Sequence, residues 1–196
     1  MADLTLPFRA AVGDEPQLPS YQYTPIPGGR GIRTLRLHPA DDFYAPLRCS
    51  IVFASLDDAD PDNGVDYTAL SYSWDAQTPS RLVECDGGKL LVTKNCASAM
   101  RQLRGHEGDE TLWIDSICID QSAEAVDERN HQVALMADIY KFARSVVVWL
   151  GEGSPEMERA LNTVLHVATT EPINGTNKRE IQAILRKRVQ DIEASE

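Results

Sequence analysis

Basic residues are scarce in this chain. Nineteen lysines and arginines stand against thirty acids, a formal net charge of −11. That balance argues against a surface that wraps nucleic acid, which needs clustered Lys and Arg, and against a polybasic membrane contact. Cysteine is equally sparse. Cys49, Cys85, Cys96 and Cys118 are widely spaced with no CxxC pair, and His38, His106, His131 and His166 form no HxxxH arrangement. No zinc site or other metal site is therefore expected, and the thiols are expected to be reduced and mostly buried, as in a cytoplasmic protein. No uninterrupted apolar run approaches the ~18 residues of a membrane span. The first residues, MADLTLPFRAAVGDEPQLPS, lack a basic start followed by an apolar run, so no signal peptide is expected. Phosphate-cradling glycine patterns, whether P-loop or dinucleotide fingerprint, are missing, as is a nucleophile elbow.

What is present suffices for one domain with appended ends. Hydrophobic residues make up 42% of the chain, enough for a core. Residues 1–30 are proline-dense and carry Gly28-Gly29, which reads as an extended arm. Residues 31–175 are expected to form the domain, and 176–196 a C-terminal helix packing on it or extending from it. Gly31–Leu37 and Leu47–Leu56 read as strands, the second with Leu47, Cys49, Ile51 and Phe53 on one face. Asp57–Gly64 is an acidic loop without the glycine and distal glutamate of a calcium loop. Tyr67–Tyr72 continues as a strand, with Ser73-Trp74-Asp75 at its exit. Arg81–Cys85 and Lys89–Thr93 flank Asp86-Gly87-Gly88 as a hairpin. Asn95 is expected to cap a helix burying Cys96, Ala99, Met100 and Leu103.

Thr111–Gln121, TLWIDSICIDQ, reads as a buried strand through Ile119, with Asp115 awkwardly in its middle and Asp120-Gln121 at its exit. A helix from about Asp127 is expected to bury Val133, Met136, Ala137 and Tyr140. Ser145–Leu150, SVVVWL, shows no alternation, the pattern of a central parallel strand covered on both faces. Helices from Pro155 and Lys178 follow, the last bearing the basic run Lys178, Arg179, Arg186, Lys187 and Arg188. This order predicts an α/β fold with a parallel sheet and helices on both faces, plus a β-hairpin insertion and the N-terminal extension.

Ligands of such sheets sit beyond the carboxyl ends of the strands. That places Asp75, Asp120, Glu128 and Glu152 on one edge with Trp74 and Arg129. A carboxylate beside an indole suits a sugar or nucleotide, while Glu128 at a helix start also suits the helix dipole. A Ser/His/Asp triad would need a histidine on that edge, and His131 sits one helical turn too deep.

The segments Tyr67–Trp74 and Leu112–Gln121 resemble the fungal heterokaryon-incompatibility (HET) domain. So do Glu128-Arg129, Gln132-Val133, Met136, Ile139-Tyr140, Ala143 and Val148–Gly151. One departure is Asp75, where the family usually has glycine after the tryptophan. The resemblance implies a cytoplasmic fungal cell-death domain, triggered when non-self is sensed. The HET domain in turn is similar to the TIR domain, which implies a flavodoxin-like sheet. Tyr67–Asp75 would match the first TIR strand, the Gln121–Asp127 loop the TIR BB loop, and the helix from Pro155 the one carrying the TIR catalytic glutamate. Some TIR domains cleave NAD at the nicotinamide–ribose bond.

By that resemblance the chain would hydrolyse NAD or a related nucleotide as substrate, with no bound cofactor. Glu152 or Glu156 would lie beside the ribose, with Glu128 and Asp115 as further catalytic candidates. Ser71, Tyr72, Ser73, Trp74, Asp75, Asp120, Gln121 and Arg129 would shape the pocket. The alignment leaves Glu152, Glu156 and Glu158 open for the key position. Two alternatives stand beside hydrolysis. One is a module that kills through self-association or recruitment by an upstream NLR-like sensor. The other is a nucleotide sensor without turnover. HET domains often precede longer regions, so a longer natural protein is also expected.

Overall fold

The strand around which the sheet is built is β1 (Gly31–Leu37), buried at every position but Arg36. The computed structural model describes residues 18–59, 64–74 and 76–153, with residues 159 and 162 beyond them. The chain falls into two compact units, Met1–Gly151 and Glu152–Glu196, and every element named below belongs to the first. The C-terminal helix, its basic run and the boundary expected at residues 175–176 lie outside the described residues.

Along its whole length β1 pairs antiparallel with β2 (Leu47–Ser55), Gly31 opposite Ser55 and Leu37 opposite Cys49. Its other edge pairs antiparallel with β6 (Glu110–Trp113). The remaining strands are β3 (Val65–Tyr72), β4 (Arg81–Cys85), β5 (Gly88–Val92) and β7 (Ala143–Trp149), and the order across the sheet is β5-β4-β2-β1-β6-β3-β7. β2/β4, β3/β6 and β3/β7 are parallel, whereas β4/β5 is antiparallel.

The fold is thus α/β with a mixed sheet, which corrects the expected parallel one. The physical reason is chain length. Residues 38–46, between β1 and β2, are too few for the dozen or more that a parallel crossover needs.

The hairpin forms as its residues dictate. Asp86 and Gly87 have φ of +47° and +75°, the left-handed pair that matches the twist of a two-residue turn. Helix α1 (Lys94–Leu103) buries Cys96, Ala97, Ala99 and Met100. Its cap is Thr93 rather than the expected Asn95. The Thr93 hydroxyl accepts from the Cys96 N–H at 3.1 Å, and Asn95 already lies inside the first turn. Thr93→Ala should therefore cost about 1 kcal/mol, read as a lower urea midpoint at constant slope, with Thr93→Ser close to wild type.

Three further expectations are corrected. The strand predicted over Thr111–Ile119 stops at Trp113. Ile114 remains extended and caps a single helical turn, α2 (Asp115–Cys118), with the Cys118 N–H on the Ile114 carbonyl at 2.7 Å. Ile114, Ile117 and Cys118 are all fully buried at i, i+3 and i+4, a helical spacing inside what reads as a β-rich run. Asp115 is therefore not mid-strand but at the strand's exit.

A 3-10 turn at Ala123–Ala125 leads into α3 (Val126–Phe142). Its inward face carries Gln132 and Ile139, flanked by Leu135, Met136 and Tyr140, while Val133 is 53% exposed. The predicted stripe is rotated because polar anchors set the helix's phase. Gln132 Nε2 donates to the Gly31 carbonyl at 3.0 Å, and Glu128 reaches Arg33.

Finally, β7 is parallel as expected but not central. Among the described residues it pairs with β3 alone, and Val148 is exposed.

Arg33 is the polar hub of this unit. It is completely buried in β1, and Glu128 receives its two terminal nitrogens at 2.7 and 2.8 Å. The same guanidinium donates to the carbonyls of Thr24 and Cys118 and lies 4.9 Å from the Tyr23 ring centre. A buried charge persists only when paired and hydrogen-bonded, and here arm, β1, α2 and α3 all contribute. Residues 18–30 of the arm lie on the domain. The Tyr21 N–H donates to the Lys89 carbonyl and the Lys89 N–H to the Pro19 carbonyl, and Tyr23 Oη donates to the Ile117 carbonyl at 2.9 Å. Gly88 allows that approach, since a Cβ there would stand 2.8 Å from the Tyr21 Cα. Among the described residues, no helix is long and apolar enough to cross a membrane.

Candidate functional site

β6, β3 and β7 run parallel and stand in the order second, first, third along the chain. From β3 the chain passes through the hairpin and α1 to β6 on one side. From β6 it passes through α2 and α3 to β7 on the other. The carboxyl ends of β3 and β7 thus lie at the switch in strand order, the place where such sheets bind ligands. A cavity of about 330 Å³ lies there, lined by Ser71, Tyr72 and Ser73 of β3 and its exit, Asn95 of α1, and Val148, Trp149, Leu150 and Gly151 of β7 and its exit. Its size is within the usual range for small-molecule sites.

Asn95 braces this crevice. Its Nδ2 donates to the Ser73 carbonyl at 2.7 Å, and its Oδ1 accepts from Trp149 Nε1 at 2.8 Å. Its backbone N–H donates to Gln77 Oε1 at 3.2 Å. Tyr72 and Trp149 are the last paired residues of the two strands, so the brace holds them where their own ladder ends. Behind it, the Tyr140 hydroxyl donates to the Leu70 carbonyl at 3.3 Å.

Asp115 stands at the exit of β6. Its Oδ2 accepts from Trp74 Nε1 at 3.2 Å and its Oδ1 from the Ser116 N–H at 2.7 Å. Burial pushes its carboxyl above the usual carboxylate range, and those two donors act against the shift. Ser116 accepts from Tyr72 Oη at 2.7 Å, so Asp115 is joined to the cavity wall through Ser116 and Tyr72. Burial also pushes the Tyr72 hydroxyl well above its ordinary value, which keeps it a neutral donor. The four thiols are free and buried. Burial raises Cys96 to about 11 and Cys118 to about 12, so neither is a thiolate nucleophile near neutral pH.

The residues expected on one edge separate into groups. Ser71, Tyr72, Ser73, Trp74 and Asp115 come together at the β3 exit. Gln121 supports them from outside, its amide donating to the Asp115 and Ile119 carbonyls. Asp120 and Glu128 instead line a second cavity of about 260 Å³, with Tyr23, Arg33, Glu124 and Asp127 among its walls. Glu128 is drawn there by Arg33, a structural tie stronger than the helix-dipole role its position suggested. Arg129 Nη1 donates to the Ser122 carbonyl and tethers the loop before α3. Glu152 is exposed and opens the second unit, while Asp75 and Glu156 lie outside the described residues. Trp113 is core, fully buried with its ring 5.5 Å from that of Tyr140, whereas Trp74 is 42% exposed. Asn95, Ser116 and Trp149 were not expected in the site. Asn95 reads locally as a cap and Trp149 as core, because their pairing spans 54 positions of sequence.

Residues 67–195 match the family model described as heterokaryon incompatibility protein (HET). The chain belongs to the HET family. It is also 34% identical to "Heterokaryon incompatibility protein 6, OR allele" of Neurospora crassa, over 69% of this chain and 21% of that protein. The chain thus spans about a fifth of the length of that curated relative. No solved structure matches it. The HET match begins inside β3, so every residue lining the crevice lies within it. β1, β2 and Arg33 lie before it, and Arg33 reaches into the HET segment to hold Glu128.

Proposed function

We propose that this HET chain is an effector of fungal heterokaryon incompatibility, a programmed cell death, and that it hydrolyses NAD or a related nucleotide at the N-glycosidic bond. Family membership and the Neurospora crassa relative support the first part. The observation that carries the second is the crevice between β3 and β7 with the Asp115 carboxyl joined to its wall. The second-first-third order of β6, β3 and β7 is also how a flavodoxin-like, TIR-like sheet begins, which supports that finer reading of the fold. Breaking the bond gives the ribosyl carbon oxocarbenium character, which a facing carboxylate stabilises. Water adds to that carbon, and nicotinamide, ADP-ribose and a proton leave.

In this reading Glu152 or Glu156 supplies the carboxylate beside the ribose. Asp115, its carboxyl raised above the usual range by burial, is the next candidate. Ser71, Tyr72, Ser73 and Asp75 frame the ligand, Trp74 offers a ring to stack on, and Gln121 keeps the Asp115 turn in place. Asp120 and Arg129 shape the neighbouring loop. Self-association or an upstream NLR-like sensor in the cytoplasm provides the trigger.

The test is nicotinamide release from NAD at high protein concentration. Wild type should release it, and Glu152→Gln or Glu156→Gln should slow release by about 10²-fold or more, with Asp115→Asn also impaired. No release by wild type, or equal release by all variants, removes the hydrolase reading. That β7 pairs with β3 alone among the described residues favours a second reading, a module that kills by assembly without chemistry, since an edge strand templates pairing with another chain. In that case Val148→Lys abolishes both toxicity and self-association, while the carboxylate-to-amide variants remain toxic.

A further inference from the structure

At a switch crevice a phosphate ordinarily rests on the first-turn N–H groups of the following helix. In this chain three of the N–H groups in the first turn of α1 are already engaged. The Asn95 N–H donates to Gln77 Oε1 at 3.2 Å, the Cys96 N–H to Thr93 Oγ1 at 3.1 Å and the Ala97 N–H to the Thr93 carbonyl at 3.0 Å. Among the described residues the lining adds no cation, since every side chain there is uncharged. The chain's net charge of −11 further opposes an anion there. A phosphate entering this cavity would lose hydration and gain neither a counter-charge nor those helix donors.

The walls suit different chemistry. Ser71 and Ser73 carry hydroxyls, and the Tyr72 hydroxyl, which already donates to Ser116, keeps acceptor lone pairs, a set that matches a ribose diol. Tyr72 adds aromatic surface for a base. The Asn95 brace keeps these groups in place before any ligand arrives.

We infer that the cavity takes the phosphate-free, nucleoside end of its ligand and leaves the phosphates outside. This rests on the nucleotide reading proposed above and names the chemical group that the site recognises. The purified protein is titrated with nicotinamide riboside, adenosine, NAD and inorganic pyrophosphate, with melting temperature and calorimetry as readouts. At least one nucleoside should bind within about tenfold of NAD, and pyrophosphate should neither bind nor displace it. Val148→Trp places an indole at the cavity from a position 59% exposed, and it should abolish nucleoside binding with the ligand-free melting temperature retained. Leu150→Trp, at a lining position 53% exposed, should do the same and serves if the first variant fails to fold. NAD binding that pyrophosphate displaces and neither nucleoside does would overturn the inference. So would nucleoside binding that survives both tryptophan variants. Nicotinamide release separates the two claims. Nucleoside binding without NAD cleavage sinks the hydrolase and leaves the inference standing, whereas cleavage without nucleoside competition does the reverse.

Discussion

Glu128→Ala should destabilise the domain by about 3 kcal/mol, the low end of the ~3–5 expected when one partner of a buried ion pair is removed. The low end applies because Glu128 keeps 22% of its side chain exposed while Arg33 keeps none. What the variant leaves behind decides the size of the effect. The guanidinium retains the Thr24 and Cys118 carbonyls but loses the carboxylate bonded to it, and its own side chain is completely buried. A drop in melting temperature of roughly 6–12 °C should follow for a chain of this size. The double variant Arg33→Met/Glu128→Leu should recover much of the loss, because an apolar pair of similar volume is often neutral or better. A loss under about 1 kcal/mol would place the pair with screened surface bridges and remove Arg33 as the hub. The same variants separate two roles for Glu128. If it were catalytic, Glu128→Gln would lose activity at near-native stability, whereas a structural Glu128 links the two losses.

A chain beginning at Tyr67, the first residue of the family match, should not fold. It lacks β1 and β2, which leaves β6 and β4 with open edges on the side where those strands pair. It also loses the buried side chains of Ile32, Leu35, Leu37 and Leu47, a deficit of roughly 6–12 kcal/mol at ~1.5–3 kcal/mol each. That equals the whole stability of an ordinary domain. Glu128 would in addition lose its cation. The truncated chain should bind a hydrophobic dye, give no near-ultraviolet dichroism and melt without cooperativity, whereas the intact chain should melt in one cooperative transition. A cooperative transition in the Tyr67 chain would mean that β1 and β2 are an accessory rather than the centre of the sheet.

Much of the site was legible in residues that act locally. The β3 exit, Ser71-Tyr72-Ser73-Trp74, stands where a strand followed by a turn must end. The β7 run ends one residue before the Leu150-Gly151 turn that lines the same crevice. Asp115 was legible as chemistry and misplaced as geometry. The isoleucines around it satisfy a strand and a helical turn alike, and only the ladder's end at Trp113 chooses between them. Asn95 was the reverse. Its type suits a cap, but Thr93 precedes it with the required extended backbone, which frees the Asn95 amide for Ser73 and Trp149.

The sequence by itself determined the kind and order of most elements. Hairpin turn, helix face and strand alternation each depend on residues within a few positions of one another. It also determined the family, since the recognisable runs are contiguous. Only the tertiary structure decided which groups meet. Arg33 and Glu128 are 95 positions apart, and Trp74 and Asp115 are 41 apart. Such pairings follow from sheet order and helix rotation, which no local preference encodes. That is why one expected carboxylate became a structural anchor and another came to rest beside the crevice.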